Sequence, residues 1–217
     1  MFRDRFDAGR QLAERLSHHR GRDVVILALP RGGVPVAYEV ARALGAPLDL
    51  LLVRKIGAPF QPELAAGAVV DGLEPVTVVN EAVVQAHGID VGYIEREASR
   101  QLAEIARRRR RYFGDRQPIS IAGRTVIVVD DGIATGTTVR AALHALRRQN
   151  PSRLILAVPV APPESVKTLA AEADEIVVLI EPDWLGAVGQ FYRDFHQLDD
   201  EDVIDLLEAT EVKEKKR

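Results

Sequence analysis

The sequence predicts an α/β fold: a mostly parallel sheet with helices on both faces and a smaller lid. Three observations carry this. Short, continuously apolar runs recur at 24–29 (VVILAL), 48–53 (LDLLLV), 124–131 (RTVIVVDD, apolar in its middle), 153–160 (RLILAVPV) and 175–180 (EIVVLI), as in strands covered on both sides. Between these runs apolar residues return every three or four positions, the helical period. Strand and helix patterns alternate, which calls for right-handed crossovers between parallel strands.

Taken in order, 5–16 reads as an amphipathic helix in which Phe6, Leu12, Ala13 and Leu16 share a face. The strand at 24–29 leads into a helix over 34–44, stopped by Gly45 and Pro47. After the strand at 48–53, residues 54–75 are rich in Gly, Ala, Pro and Glu and read as a loop with one short strand near 67–70. A strand follows at 76–79 (VTVV), and Asn80 caps a short helix. Residues 91–113 form one long helix on which Ile94, Ala98, Leu102 and Ile105 recur. Further helices are expected at about 137–149, at 163–172 and near 200–209, the last capped by Asp199 or Asp200. The tail EVKEKKR reads as disordered. No internal repeat or linker divides the chain, so residues 1–217 read as one domain. Residues 54–90 and the C-terminal stretch are expected as lids at the carboxyl edge of the sheet, where such folds bind ligands.

Composition narrows the function. The chain has 217 residues, 47% apolar and 28% charged, as in ordinary globular proteins. A net charge of −3 gives no global field for nucleic acid or an anionic membrane. There is no cysteine, which excludes disulfides, thiol catalysis and cysteine metal sites and fits a reducing cytoplasm. The start is charged from its third residue, unlike a secretory signal, and no apolar run approaches the roughly 20 residues that span a bilayer.

The chemistry concentrates in 126–138, VIVVDDGIATGTT. Asp130 and Asp131 end an apolar strand, and successive strand side chains point to opposite faces. Gly132 to Thr138 then opens a helix. Its glycines let backbone N–H groups approach an anion, its N-terminus offers free donors and a positive dipole end, and its threonines add hydroxyls. Paired acids immediately before a phosphate cradle suit a sugar phosphate. The segment lacks the Gly-Lys-Ser/Thr ending of the nucleotide P-loop, and no G-x-G-x-x-G occurs.

These thirteen residues resemble the phosphoribosyl-diphosphate (PRPP) signature of the type I phosphoribosyltransferases: an apolar strand, two acids, two spacers, a small or acidic residue, then Thr-Gly-x-Thr. The resemblance implies a Rossmann-like fold with a flexible lid at about 56–72 and a hood from 181–209 and parts of 73–113. It implies that Ala134, Thr135, Gly136, Thr137 and Thr138 hold the 5-phosphate, and that Asp130 and Asp131 hold the ribose hydroxyls directly or through Mg²⁺. LPRGGVPVA, 29–37, is similar to the family's diphosphate loop, which assigns that role to Arg31, Gly32 and Gly33 and implies a cis peptide at Pro30–Arg31. VRKIGAP, 53–59, is similar to the adenine-type members and assigns Arg54 and Lys55 to the leaving diphosphate. EPDWLGAVGQFYRDF, 181–195, is similar to the stretch after the last core strand in 6-oxopurine members. By that likeness Asp183 is near magnesium and Arg193 near diphosphate. Trp184 could stack on a planar acceptor, or serve as core or lid anchor.

Two departures bear on the acceptor. Ala134 stands where 6-oxopurine members carry an Asp that handles the purine proton, which argues against hypoxanthine and guanine by that route. The adenine members' Glu-Tyr-Gly loop is absent too; residues 62–72 read PELAAGAVVDG, and Glu63 is the acid assigned to loop closure. The resemblance therefore implies a Mg²⁺-assisted transferase of nucleotide metabolism that moves the phosphoribosyl group of PRPP to a nitrogenous small molecule, often as a homodimer. A PRPP-binding regulator without turnover and a sugar-phosphate hydrolase are the alternatives.

Other clusters receive plainer readings. RRRRRYF, 107–113, winds around a helix and cannot form one basic face, so it reads as a solvated helix end. DDED, 199–202, reads as an acidic first helical turn, and adjacent His18 and His19 as a solvated turn with no metal role.

Overall fold

The computed structural model describes residues 1–214. Five parallel strands form the main sheet: β1 (Val24–Ala28), β2 (Leu48–Leu50), β6 (Thr125–Val129), β7 (Arg153–Val160) and β8 (Glu175–Ile180), in the order β2-β1-β6-β7-β8. Their alternation divides the core between two faces. Ile26, Ile127 and Ile155 lie abreast in register and pack with helices α1 (Arg5–Arg15) and α2 (Gly33–Leu44). Val25, Leu27, Val126 and Val128 point the other way, toward helix α5 (Thr137–Arg147) and Leu169 of α6 (Pro163–Leu169). Each such side chain contributes roughly 1.5–3 kcal/mol by burial, so the continuous apolar runs favour a central, doubly covered strand. Helix α1 crosses α2 closely because Gly9 leaves room: a Cβ there would lie 2.7 Å from the Val36 carbonyl oxygen.

A second, antiparallel sheet of β3 (Val53–Ala58), β4 (Gln61–Val70) and β5 (Val76–Val79) corrects the loop reading of 54–75. The predicted strand 48–53 ends at Leu50, and Val53 already belongs to this second sheet. Its Gly, Ala and Pro residues hid the alternation. Register shifts between Ile56 and Ala58 break the period further, and small residues such as Gly67 pass close to the neighbouring strand. Helix α4 (Val91–Phe113) packs against β3 and β4 on one side and α5 against β3, β4 and β5 on the other. The short α3 (Glu81–Ala86) is capped by Asn80, whose side chain accepts from the Val83 amide. The last helix, α7 (Asp200–Glu214), begins at a reciprocal cap in which the Asp199 and Asp202 side chains accept from each other's amides. It carries helix into the tail read as disordered; residues 215–217 lie outside the described residues.

The arginine run is also corrected. Arg109, its third member, turns inward. It donates to Asp49 of β2 at 2.9 Å and to Asp71, just after β4, at 2.8 Å, with its guanidinium against Phe113. Asp49 also accepts from the Ile119 amide at 2.8 Å. One buried cation thus joins the two sheets to α4. Burial still outweighs Arg109 at Asp71, whose pKa is raised above its ordinary value. Arg109→Met leaves two carboxylates without their cation and is expected to cost about 3–5 kcal/mol in urea unfolding; adding Asp71→Asn should restore part of that loss.

Candidate functional site

Strand β6 delivers Asp130 and Asp131 to the carboxyl edge of the main sheet. The start of α2 comes against them. A Cβ on Gly32 would overlap the Asp131 carboxylate at Oδ2, and one on Gly33 would lie 2.7 Å from the Val129 carbonyl oxygen. Glycine is needed at both positions for want of space, and the two loops picked out in the sequence are in contact. The Pro30–Arg31 peptide is cis, as the resemblance implied. Arg31 is exposed at the mouth of this loop.

The acid pair is held from both ends of the chain, by residues the sequence reading missed. Arg5 Nε donates to Asp131 Oδ2 at 2.8 Å and Nη1 to the His196 carbonyl at 2.9 Å, with the guanidinium 3.7 Å from the centre of the Phe195 ring. The Tyr192 hydroxyl donates to the Asp131 carbonyl at 2.6 Å. Burial pushes the Tyr192 phenol well above its ordinary pKa, with the negative charge of Asp131 adding to it. Asp130 Oδ1 accepts from the Asp131 amide at 2.8 Å. Desolvation, then the neighbouring Asp131 charge, raises the Asp130 pKa well above 3.8, and Arg5 partly opposes this.

The cradle follows. Gly136, at φ +71°, turns the chain into α5, and among the described residues no side chain caps its first-turn amides. The loop is tied down by the Ile133 amide to the Val160 carbonyl at 2.8 Å and the Ser165 hydroxyl to the Ala134 carbonyl at 2.7 Å. Ala134, Thr135, Thr137 and Thr138 are exposed. Thr135, Thr137 and Thr138 line a cleft of about 550 Å³ closed on its far side by the second sheet, which contributes Lys55 and Glu63. Lys55 Nζ meets Glu63 Oε2 at 3.0 Å across the β3–β4 hairpin.

Not every expected residue joins this group. Arg54, one position from Lys55, points to the opposite face of β3 and donates to Gln101 of α4 at 3.1 Å. Asp183 and Trp184 lie exposed on the loop after β8, where the indole packs on Gly186 outside the cleft. Arg193 is exposed, and its amide pairs with the Phe2 carbonyl at 2.9 Å. The sequence carried no signal for Arg5, Tyr192 and Phe195, since their meaning depends on partners far away along the chain.

A five-stranded parallel sheet flanked by helices, with an acid pair and a glycine-opened helix start at its carboxyl edge and an antiparallel hood, is the fold of a phosphoribosyl transferase. The chain belongs to the phosphoribosyl transferase domain family, matched over residues 3–196. It is similar to Rv0571c of Mycobacterium tuberculosis, whose name assigns it provisionally to the phosphoribosyl transferases, at 48% identity over 208 residues, 96% of this chain and 46% of that protein. The chain thus spans about half the length of the curated relatives it matches first. Among solved structures, TT1426 from Thermus thermophilus superposes with a TM-score of 0.83 at 48% identity, covering 95% of this chain and 97% of that one. The bifunctional protein PyrR of Chloroflexus aurantiacus is 33% identical over 131 residues, 59% of this chain and 65% of that protein.

A carboxyl group with a raised pKa makes its ionised form costly in the fold. That cost is absent below 3.8, the ordinary value, and grows as pH rises from there toward the raised value. Asp130→Asn is therefore expected to stabilise the protein at pH 7 by about 0.5–2 kcal/mol. The gain should vanish as pH falls below 3.8, as read from chemical denaturation across pH.

Proposed function

We propose that this chain transfers the phosphoribosyl group of PRPP to a nitrogenous small molecule and releases diphosphate. The observation that carries the reading is the contact between the acid turn at Asp130–Asp131 and the glycine loop at Gly32–Gly33, beside an uncapped helix start at Gly136. Thr135 to Thr138 would take the 5-phosphate through first-turn amides and hydroxyls. Asp130 and Asp131 would accept from the ribose hydroxyls. Arg31, with the Gly32 and Gly33 amides, would stabilise charge building on the leaving diphosphate, and Lys55 would add to it if the hairpin closes. Arg54, held by Gln101, has the weaker claim to that role. Glu63, paired with Lys55, would move with the hairpin as it closes and excludes water.

Magnesium suits these donors. It favours carboxylate oxygens and substrate phosphates while keeping several waters, and Arg5 engages one oxygen of Asp131, leaving the other available. When bound it would neutralise diphosphate charge. Asp183, exposed on the loop after β8, is a further candidate ligand, and Trp184 beside it a candidate platform for a planar acceptor.

The test is diphosphate release from PRPP over a panel of nucleobases and other nitrogen acceptors, with Mg²⁺ present. Release that needs one acceptor supports transfer. Release without any acceptor would mean hydrolysis, and tight PRPP binding without release a regulator. Gly32→Val should drive its side chain into the Asp131 carboxylate and lower kcat/KM by about 10²–10³-fold, and Thr135→Val should chiefly weaken PRPP binding by calorimetry.

A further inference from the structure

Of the two histidines read as a solvated turn, His18 is exposed but His19 is buried. His18 and His19 sit on the short 3-10 turn Ser17–His19 between α1 and β1, with ring centroids 4.0 Å apart. Both rings face Glu175, the first residue of β8: His18 Nε2 lies 3.8 Å from Oε1 and His19 Nε2 lies 3.8 Å from Oε2. One ligand atom from each of the three residues lies within 4.8 Å of the other two. His19 is 1% exposed, and among the described residues neither of its ring nitrogens has a hydrogen-bond partner. A buried imidazole that satisfies neither nitrogen costs about a kcal/mol or more, so His19 calls for a partner that the described residues do not supply.

We propose that His18, His19 and Glu175 form a binding site for a divalent transition-metal ion of the Zn²⁺ class, with solvent completing the coordination. Two imidazoles and a carboxylate suit such an ion rather than Mg²⁺ or Ca²⁺, which take oxygen ligands. Bonds of about 2.0–2.1 Å in a tetrahedron put ligand atoms roughly 3.4 Å apart; the two 3.8 Å separations run to different Glu175 oxygens and the three ligand atoms lie within 4.8 Å of one another, so binding an ion would draw the side chains inward by up to about 1.4 Å. Arg153 donates to Glu175 Oε2 at 2.8 Å, which orients the carboxylate and leaves Oε1 toward His18. His18, exposed, leaves the solvent side open.

The site is remote from the proposed chemistry. The five strands are parallel; Asp130 follows the end of β6, whereas Glu175 opens β8 and His19 precedes β1. The cluster therefore marks the amino edge of the sheet, and an ion there would tie α1, which also carries Arg5, to the edge strand.

The experiment strips the full chain of metal with a chelator, removes the chelator, and titrates with Co²⁺ followed by visible d–d absorption, then with Zn²⁺ in competition by calorimetry. We expect one ion per chain, displacement of Co²⁺ by Zn²⁺, and a higher Tm with Zn²⁺. His18→Ala, on an exposed side chain, should fold normally and weaken binding at least tenfold, as should Glu175→Gln; Asp131→Asn should leave it unchanged. Absence of Co²⁺ absorption and of Zn²⁺ heat would overturn the proposal, leaving a water as the partner of His19. Binding that survives His18→Ala but is lost in Asp131→Asn would overturn it too, by moving the ion to the opposite edge. These readouts need no turnover, so they stand apart from the transferase reading.

Discussion

A fully buried strand that ends in two adjacent carboxylates must find positive charge, or one acid will stay protonated. Arg5 supplies that charge. It comes from the first helix and engages Asp131 across most of the chain's length, with Phe195 against its guanidinium and the His196 carbonyl taking a second donor. Tyr192 fixes the backbone of the same residue. The N-terminal helix and the segment after β8 therefore close around the acid turn, and the Gly32–Gly33 loop can approach because the carboxylate is held in one place. Asp131 is positioned by a cation that a bound Mg²⁺ would have to tolerate or partly displace, whereas Asp130 remains the costlier charge.

A second constraint sets where the antiparallel sheet stands. Arg109 reaches Asp49 in the main sheet and Asp71 at the end of β4, so the hairpin that presents Lys55 and Glu63 is anchored at its base by a buried ion triad. Near its other end the hairpin is held by the Tyr93 hydroxyl, which donates to the Gly57 carbonyl at 2.8 Å. Its tip carries Phe60, 95% exposed.

The legible parts of this protein were those whose cause is local. Residues 91–113 and 153–160 were read to their boundaries because an apolar period or a continuous apolar run needs no distant partner. The strand-to-helix turn at 130–137 was legible for the same reason: a strand end, glycines and a helix start are all sequence neighbours. The 53–70 hairpin was not, because alternating Gly, Ala and Pro positions carry little hydropathy contrast. Arg5, Arg109 and His19 were missed because charged residues in a run of charge, or a histidine beside another, look solvated until a partner dozens of residues away is brought to them.

The same physics explains where unpaired groups collect. Desolvation acts on both Asp130 and His19, in opposite senses: it raises the acid and lowers the base, so each is shifted toward its neutral form. Under the transferase proposal, a bound Mg²⁺ would add positive charge beside Asp130 and favour its ionised form. The carboxyl edge would thus be completed by its substrate and the amino edge by an ion alone. The parallel sheet thus carries a desolvated acid at one end and a buried, unpartnered imidazole at the other, and a ligand at either would offset the desolvation.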